Sequence, residues 1–234
     1  MLQDAKQEHG LWLSQIDDNT NVAWHPNESG ALGARYTLQR SLINGVPTPA
    51  TPPSPWQVTQ IWRAAGDGSI GLIALEATQE TTGTAVVGRI GLGPGPVEKD
   101  ESGLWSCGAL RVKLLQQFGE ATAQPMPGYN QTRDRAWQGV ELRQALNGPA
   151  KRGDRFVYAA WIGPEGARPP DSFETLPDDT GWVARWAKDR AVAAVFNPTD
   201  KPLTVKVPWP AGTPDAWVGP DGAGQPLRVQ NGAV

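Results

Sequence analysis

Trp56-Gln57-Val58-Thr59-Gln60-Ile61-Trp62 alternates large apolar and polar groups. A period of two places successive side chains on opposite faces of an extended chain, so this stretch reads as a β-strand. It follows a turn rich in Pro and Thr, Asn44 to Pro55, and before that turn stands another strand-like run, Tyr36 to Asn44. Working outward, strand patterns recur at Gly10–Ile16, Ala34–Asn44, Trp56–Ala64, Ile70–Ala77, Ala85–Leu92, Gly108–Gln117, Trp137–Leu146 and Arg155–Ile162. Asp67-Gly68, Thr82-Gly83, Gly93-Pro94-Gly95-Pro96 and Asn147-Gly148-Pro149 punctuate them. Many strands with short gaps predict an antiparallel all-β fold. No sustained helix is predicted, and Val112–Glu120 is the one run of ambiguous period.

Composition agrees. The 234 residues include 27 Gly and 22 Pro, about a fifth of the chain, which favours short elements joined by turns over long helices. The pattern divides the chain into a sandwich over residues 1–163, a Pro/Asp-rich connection over 164–180 with a helical turn expected around Ser172 to Leu176, and a small C-terminal β unit over 181–234. In that unit strands are expected at Trp182–Trp186, Ala191–Phe196, Leu203–Pro208, Ala216–Val218 and Leu227–Val229, with a corner at Asn197 to Pro202.

The inventory of reactive groups narrows the function. Net charge is −3, from 21 basic and 24 acidic residues, and Lys and Arg are scattered, so neither nucleic acid nor an anionic membrane is an expected partner. Lys151-Arg152-Gly153-Asp154-Arg155 reads as a solvated turn. No apolar run reaches the roughly 18 residues that span a bilayer. The first 30 residues lack a signal-peptide pattern, so the chain is expected to be cytoplasmic or a mature exported protein. The single cysteine, Cys107, is expected as a small buried residue, since one cysteine makes neither an intramolecular disulfide nor a thiolate zinc site. With only His9 and His25, no transition-metal site and no cofactor are expected. Asp17-Asp18-Asn19 is expected as a hydrophilic turn rather than a Ca²⁺ loop.

Tryptophan stands out: 11 Trp against 3 Tyr and 4 Phe. Indole offers a flat apolar face and one N–H donor, a match for a pyranose ring, though most indoles in a β-sandwich of this size belong to the core. Trp24, Trp62, Trp105 and Trp137, with polar or Gly neighbours, are the expected exposed ones. His25, beside Trp24 and Glu28, is either a sugar-binding or acid–base group or an exposed loop histidine. Tyr129 and Arg133 suit a base and a cation facing a uronate, or a plain loop. Glu141 lies in Trp137-Gln138-Gly139-Val140-Glu141-Leu142-Arg143-Gln144. It is either a functional carboxylate or a surface glutamate paired with Arg143 or Arg111.

Two segments carry a family resemblance: the Asn/Pro corner leading into Pro55-Trp56-Gln57-Val58-Thr59-Gln60, and the Gly139-Val140-Glu141 strand. Together they resemble the galactose-mutarotase-like β-supersandwich, over residues 10–163. The resemblance implies an antiparallel β-supersandwich with a small C-terminal β unit, a saccharide as ligand or substrate, and Glu141 as general base. The chain departs from the family pattern in having no histidine near Trp56–Gln60, where the family's general acid stands, and in lacking a counterpart to its first third. The leading expectation is a carbohydrate-binding protein or domain whose concave face carries Gln60, Trp62, Arg63, Trp137 and Glu141. A second is a carbohydrate-active enzyme (epimerase, lyase or hydrolase), with Glu141 as base assisted by His25, Tyr129 or Arg133, or paired with Glu76 or Asp134 as a two-carboxylate glycosidase. A structural or oligomerising β domain is the third.

Overall fold

The computed structural model describes residues 2–3, 9–11, 25–26, 31–37, 40–43, 46–49, 55–65, 67–81, 83, 85–125, 137–186, 190–197, 217–220 and 226–228. The chain is all-β. Its first strands are β1 (Leu2–Gln3), β2 (His9–Leu11), β3 (His25–Pro26), β4 (Ala31–Thr37), β5 (Arg40–Ile43) and β6 (Val46–Pro49). The long strands follow as β7 (Trp56–Ala65), β8 (Gly68–Ala77) and β9 (Ala85–Pro94), then β10 (Glu98–Lys99), β11 (Leu104–Cys107), β12 (Leu110–Gln116), β13 (Glu120–Pro125), β14 (Trp137–Ala145) and β15 (Arg155–Pro164). Beyond them lie β16 (Ser172–Thr175), β17 (Gly181–Trp186), β18 (Arg190–Val195), β19 (Trp217–Pro220) and β20 (Pro226–Arg228).

Two large antiparallel sheets form the sandwich. One runs β13-β14-β9-β1-β2-β5-β6 and the other β10-β11-β12-β15-β8-β7-β4-β3. Between them lies a core that includes Trp56, Val58, Ile73, Leu75, Val86, Ile90, Val140, Leu142, Phe156 and Tyr158. A three-stranded sheet, β16-β17-β18, covers the other face of the eight-stranded sheet. There Trp182, Ala184, Trp186, Ala194 and Phe196 pack on Ile61, Ile70, Leu72, Ala159 and Trp161. Strands β8 and β15 are therefore buried on both faces. This accounts for Ile70-Gly-Leu-Ile-Ala-Leu75 and Phe156-Val-Tyr-Ala-Ala-Trp161, which are apolar without alternation. Three fastenings hold the outer layer. Trp182 Nε1 donates to the Ile61 carbonyl at 3.4 Å, Arg63 Nη1 donates to the Ala193 carbonyl, and the Phe196 ring occupies the space a Gly33 side chain would need.

Two expectations need correction. The run Ala34–Asn44 is two strands in different sheets, because β4 ends at Thr37 and β5 begins at Arg40. Ser172–Thr175 is not a helical turn but the edge strand β16, paired with Thr175 opposite Trp182 and with Phe173 packed on the Trp182 indole. Val112–Glu120 is strand through Gln116, then a turn at Gly119. Leu203–Pro208 and most of the Asn197–Pro202 corner lie outside the described residues, as does Asp17-Asp18-Asn19. Cys107 is buried, and Lys151–Arg155 forms an exposed turn in which Asp154 accepts the Lys151 amide at 2.8 Å.

A tight turn, Pro177–Asp179, links β16 to β17, with Asp178 and Asp179 both left-handed at φ 54° and 51°. Burial pushes the Asp179 carboxyl above its ordinary range, against the opposing pull of the paired Arg155 guanidinium. An acid raised in the folded state stabilises most when protonated, and its contribution declines as pH rises through the folded value. Asp179→Asn tolerates the left-handed backbone and removes the buried charge. It should raise Tm at pH 7 and flatten the fall of Tm between the ordinary carboxylate range and neutrality. Phe196→Ala should cost about 3–5 kcal/mol. Urea unfolding should show that loss in one cooperative transition; an unchanged main transition would mean the outer sheet is only tethered.

Candidate functional site

Glu141 sits near the middle of β14. Its neighbours Val140 and Leu142 enter the core, so Glu141 faces outward from the seven-stranded sheet. The strand pairing sets Thr122 of β13 on one side of it and Arg89 of β9 on the other. Although outward-facing, Glu141 is only 8% exposed. Arg89 reaches one carboxylate oxygen, Oε2, through Nε and Nη2, both at 2.8 Å. The second oxygen, Oε1, lies 3.8 Å from Arg143 Nη1, longer than a hydrogen bond. A carboxylate this withdrawn from water is stable because the guanidinium forks onto it.

Of the two neighbouring rows, one sets Arg143 against the buried Val87. Two residues along, Gly139 pairs with Gly91 and stands opposite Gln124. Backbone rather than side chain therefore forms the sheet surface beside the ion pair on β9 and β14. Gln124 Nε2 donates to Thr122 Oγ1 at 3.3 Å. Trp137 begins β14, two residues before Gly139, and its side chain lies outside the described set.

The five residues expected on one concave face are divided among three surfaces. Gln60 points into the core, 1% exposed; its Nε2 donates to the Tyr36 hydroxyl at 2.6 Å and its Oε1 accepts Trp62 Nε1 at 3.1 Å. Burial pushes the Tyr36 phenol above its ordinary range, with the Gln60 bond opposing. Arg63 faces the other way and is spent on the three-stranded sheet, where burial lowers its guanidinium from the usual range. Only Glu141 occupies the outer face of the seven-stranded sheet with its side chain described. Trp105, expected exposed, is 5% exposed in the core, with Lys99 Nζ 5.0 Å from the ring centroid. His25 is placed in β3, opposite Gly33 in the eight-stranded sheet, so it and Glu141 belong to different sheets. Glu76 lies on the outer face of the eight-stranded sheet, paired with Arg35 at 3.5 Å. The whole core separates it from Glu141, which removes that two-carboxylate pairing. Trp24, Tyr129, Arg133 and Asp134 lie outside the described residues.

Sequence reasoning paired Glu141 with Arg143 or Arg111. Arg111 instead meets Glu165 at 2.7 Å, and the principal partner is Arg89. Arg89 was missed because it stands 52 positions from Glu141 and only the β9–β14 register unites them. Among the described residues no three His, Cys, Asp or Glu side chains gather to hold a metal ion, and no helix is long and apolar enough to cross a membrane. No family model, curated protein or solved structure matches this chain.

The two arginines should differ in effect. Arg89→Ala strands a nearly buried carboxylate and should cost about 2–3 kcal/mol, less than a fully buried pair because Arg89 is partly solvated. Arg143→Ala removes an exposed contact and should stay within about 1 kcal/mol. Chemical denaturation of both variants checks the order.

Proposed function

We propose that the outer face of the seven-stranded sheet binds a saccharide, with Glu141 as its central acceptor. The observation that supports this is the withdrawn Glu141–Arg89 pair on an outward-facing sheet, with Oε1 left for an incoming hydroxyl. A purely structural surface pair is ordinarily solvated and weak. Thr122 and Gln124 supply further donors and acceptors at strand spacing. The resemblance to galactose-mutarotase-like proteins supports the same ligand class.

The second reading is catalytic. The same Oε1 would take a proton from a sugar hydroxyl as a general base. Neither His25, in the other sheet, nor Glu76, behind the core, serves as its partner acid.

Calorimetric titration with neutral and uronic oligosaccharides, each mixture then analysed for product, tests both. Glu141→Gln retains shape and removes the charged acceptor, so affinity should fall about tenfold to a hundredfold, the size of one charge-assisted hydrogen bond. Product formed by the native chain and lost in Glu141→Gln with binding retained would establish the catalytic reading. Unchanged affinity in Glu141→Gln would remove this face from the function.

A further inference from the structure

We propose a second saccharide-contacting site at the rim of the sandwich, an aromatic platform made by Trp62. Trp62 lies on the inner-facing side of β7, directly across from Gly71 of β8 and Leu32 of β4. Two atoms of its six-membered ring, Cε3 and Cη2, lie 2.5 Å from the position a Gly71 Cβ would take, and Cζ3 between them is at nearly the same distance. A point in the ring plane beyond Cζ3 would be much closer to Cζ3 than to its neighbours. Near-equality therefore puts Gly71 beneath the face of the ring. The indole lies flat on bare backbone at the margin of the sandwich core, and the residue keeps part of its surface accessible.

The ring is also fixed in rotation. Nε1 donates to Gln60 Oε1, and Gln60 is held by Tyr36. The entropy of immobilising an indole is thus spent on folding rather than on binding. The buried tryptophans Trp56, Trp105, Trp161, Trp182 and Trp186 are 0–7% exposed, whereas Trp62 is only half-buried. Its neighbour Leu32 is 41% exposed. In the next row on the same face stands Ser69, paired with Ala64 and half-buried.

The occupant follows from size and polarity. One indole face and one leucine fall far short of the roughly 1,000 Å² a specific protein interface needs. A pyranose ring presents an apolar C–H face of indole dimensions with hydroxyls around its edge, and Ser69 is placed to meet one. No charged side chain shares the Leu32–Trp62–Gly71 or Ala64–Ser69 positions, so the ligand class is a neutral sugar. The site lies on the opposite sheet from Glu141 and does not depend on that face.

Titration of the ¹⁵N-labelled full chain with cello-, xylo- and mannohexaose tests the platform, observed at the indole N–H signals. The Trp62 signal is assigned by its absence in Trp62→Phe. At least one hexaose should shift it saturably, both in the native chain and in Glu141→Gln. Leu32→Asp, which leaves the indole bed intact, should weaken that shift at least threefold, and Trp62→Ala should abolish binding at this site. A Trp62 signal unmoved by all three sugars overturns the platform, whatever happens at Glu141. A shift that disappears in Glu141→Gln also overturns it, since the response would then come from the other face.

Discussion

The apolar layer that Trp161 of β15 shares with Trp182 and Trp186 of β17 is the feature on which the rest depends. It turns the eight-stranded sheet from an outer wall into a middle layer. Once both of its faces are buried, polar side chains on its central strands must either find partners inside or retreat to the margins. Gln60 takes the first course, bonded to Tyr36 and Trp62. Glu76, Arg35 and Arg155 take the second, at the border of the three-stranded sheet, where Arg155 meets the Asp178–Asp179 turn. On the outward face of the seven-stranded sheet, Glu141 is held between Arg89 and Arg143.

Most strands were legible because each is a local pattern bounded by its own turn residues. Trp56–Ala65, Ala85–Pro94, Trp137–Ala145 and Arg155–Pro164 differ from expectation by a residue or two at their ends. What could not be read was which face each strand shows to which neighbour. Alternation in Trp56–Trp62 separates two faces but does not say that both will be covered. The unbroken apolar runs Ile70–Leu75 and Phe156–Trp161 held that information, since strands with a wet face alternate. They were read only as strands. The short strands Glu98–Lys99 and Leu104–Cys107 were missed because a few residues carry too little periodicity to register.

The candidate site was legible in one residue. Glu141 was singled out from its own strand, and its environment depended on a partner 52 positions away. Long-range register is set by the global fit of two hydrophobic faces, which no local window contains. The same limit explains the separation of Arg63 from Gln60 and Trp62. Adjacent residues of a strand cannot share a face, so a site assembled from consecutive positions divides once the sheet has two covered sides.

Chain order gives the middle layer a further consequence. The sheet that covers Ile61, Ile70, Leu72 and Trp161 is encoded after them, ending near Phe196. During synthesis at roughly 5–20 residues per second, the interval between completing β15 and releasing Phe196 is about 2–6 seconds. Through that interval the nascent sandwich presents an apolar wall ringed by unsatisfied edges. Holding chaperones and ribosome proximity act on such surfaces, so the biogenesis of this protein is most exposed to aggregation while β16 to β18 are being made. A premature stop within the outer sheet would leave that wall permanently uncovered.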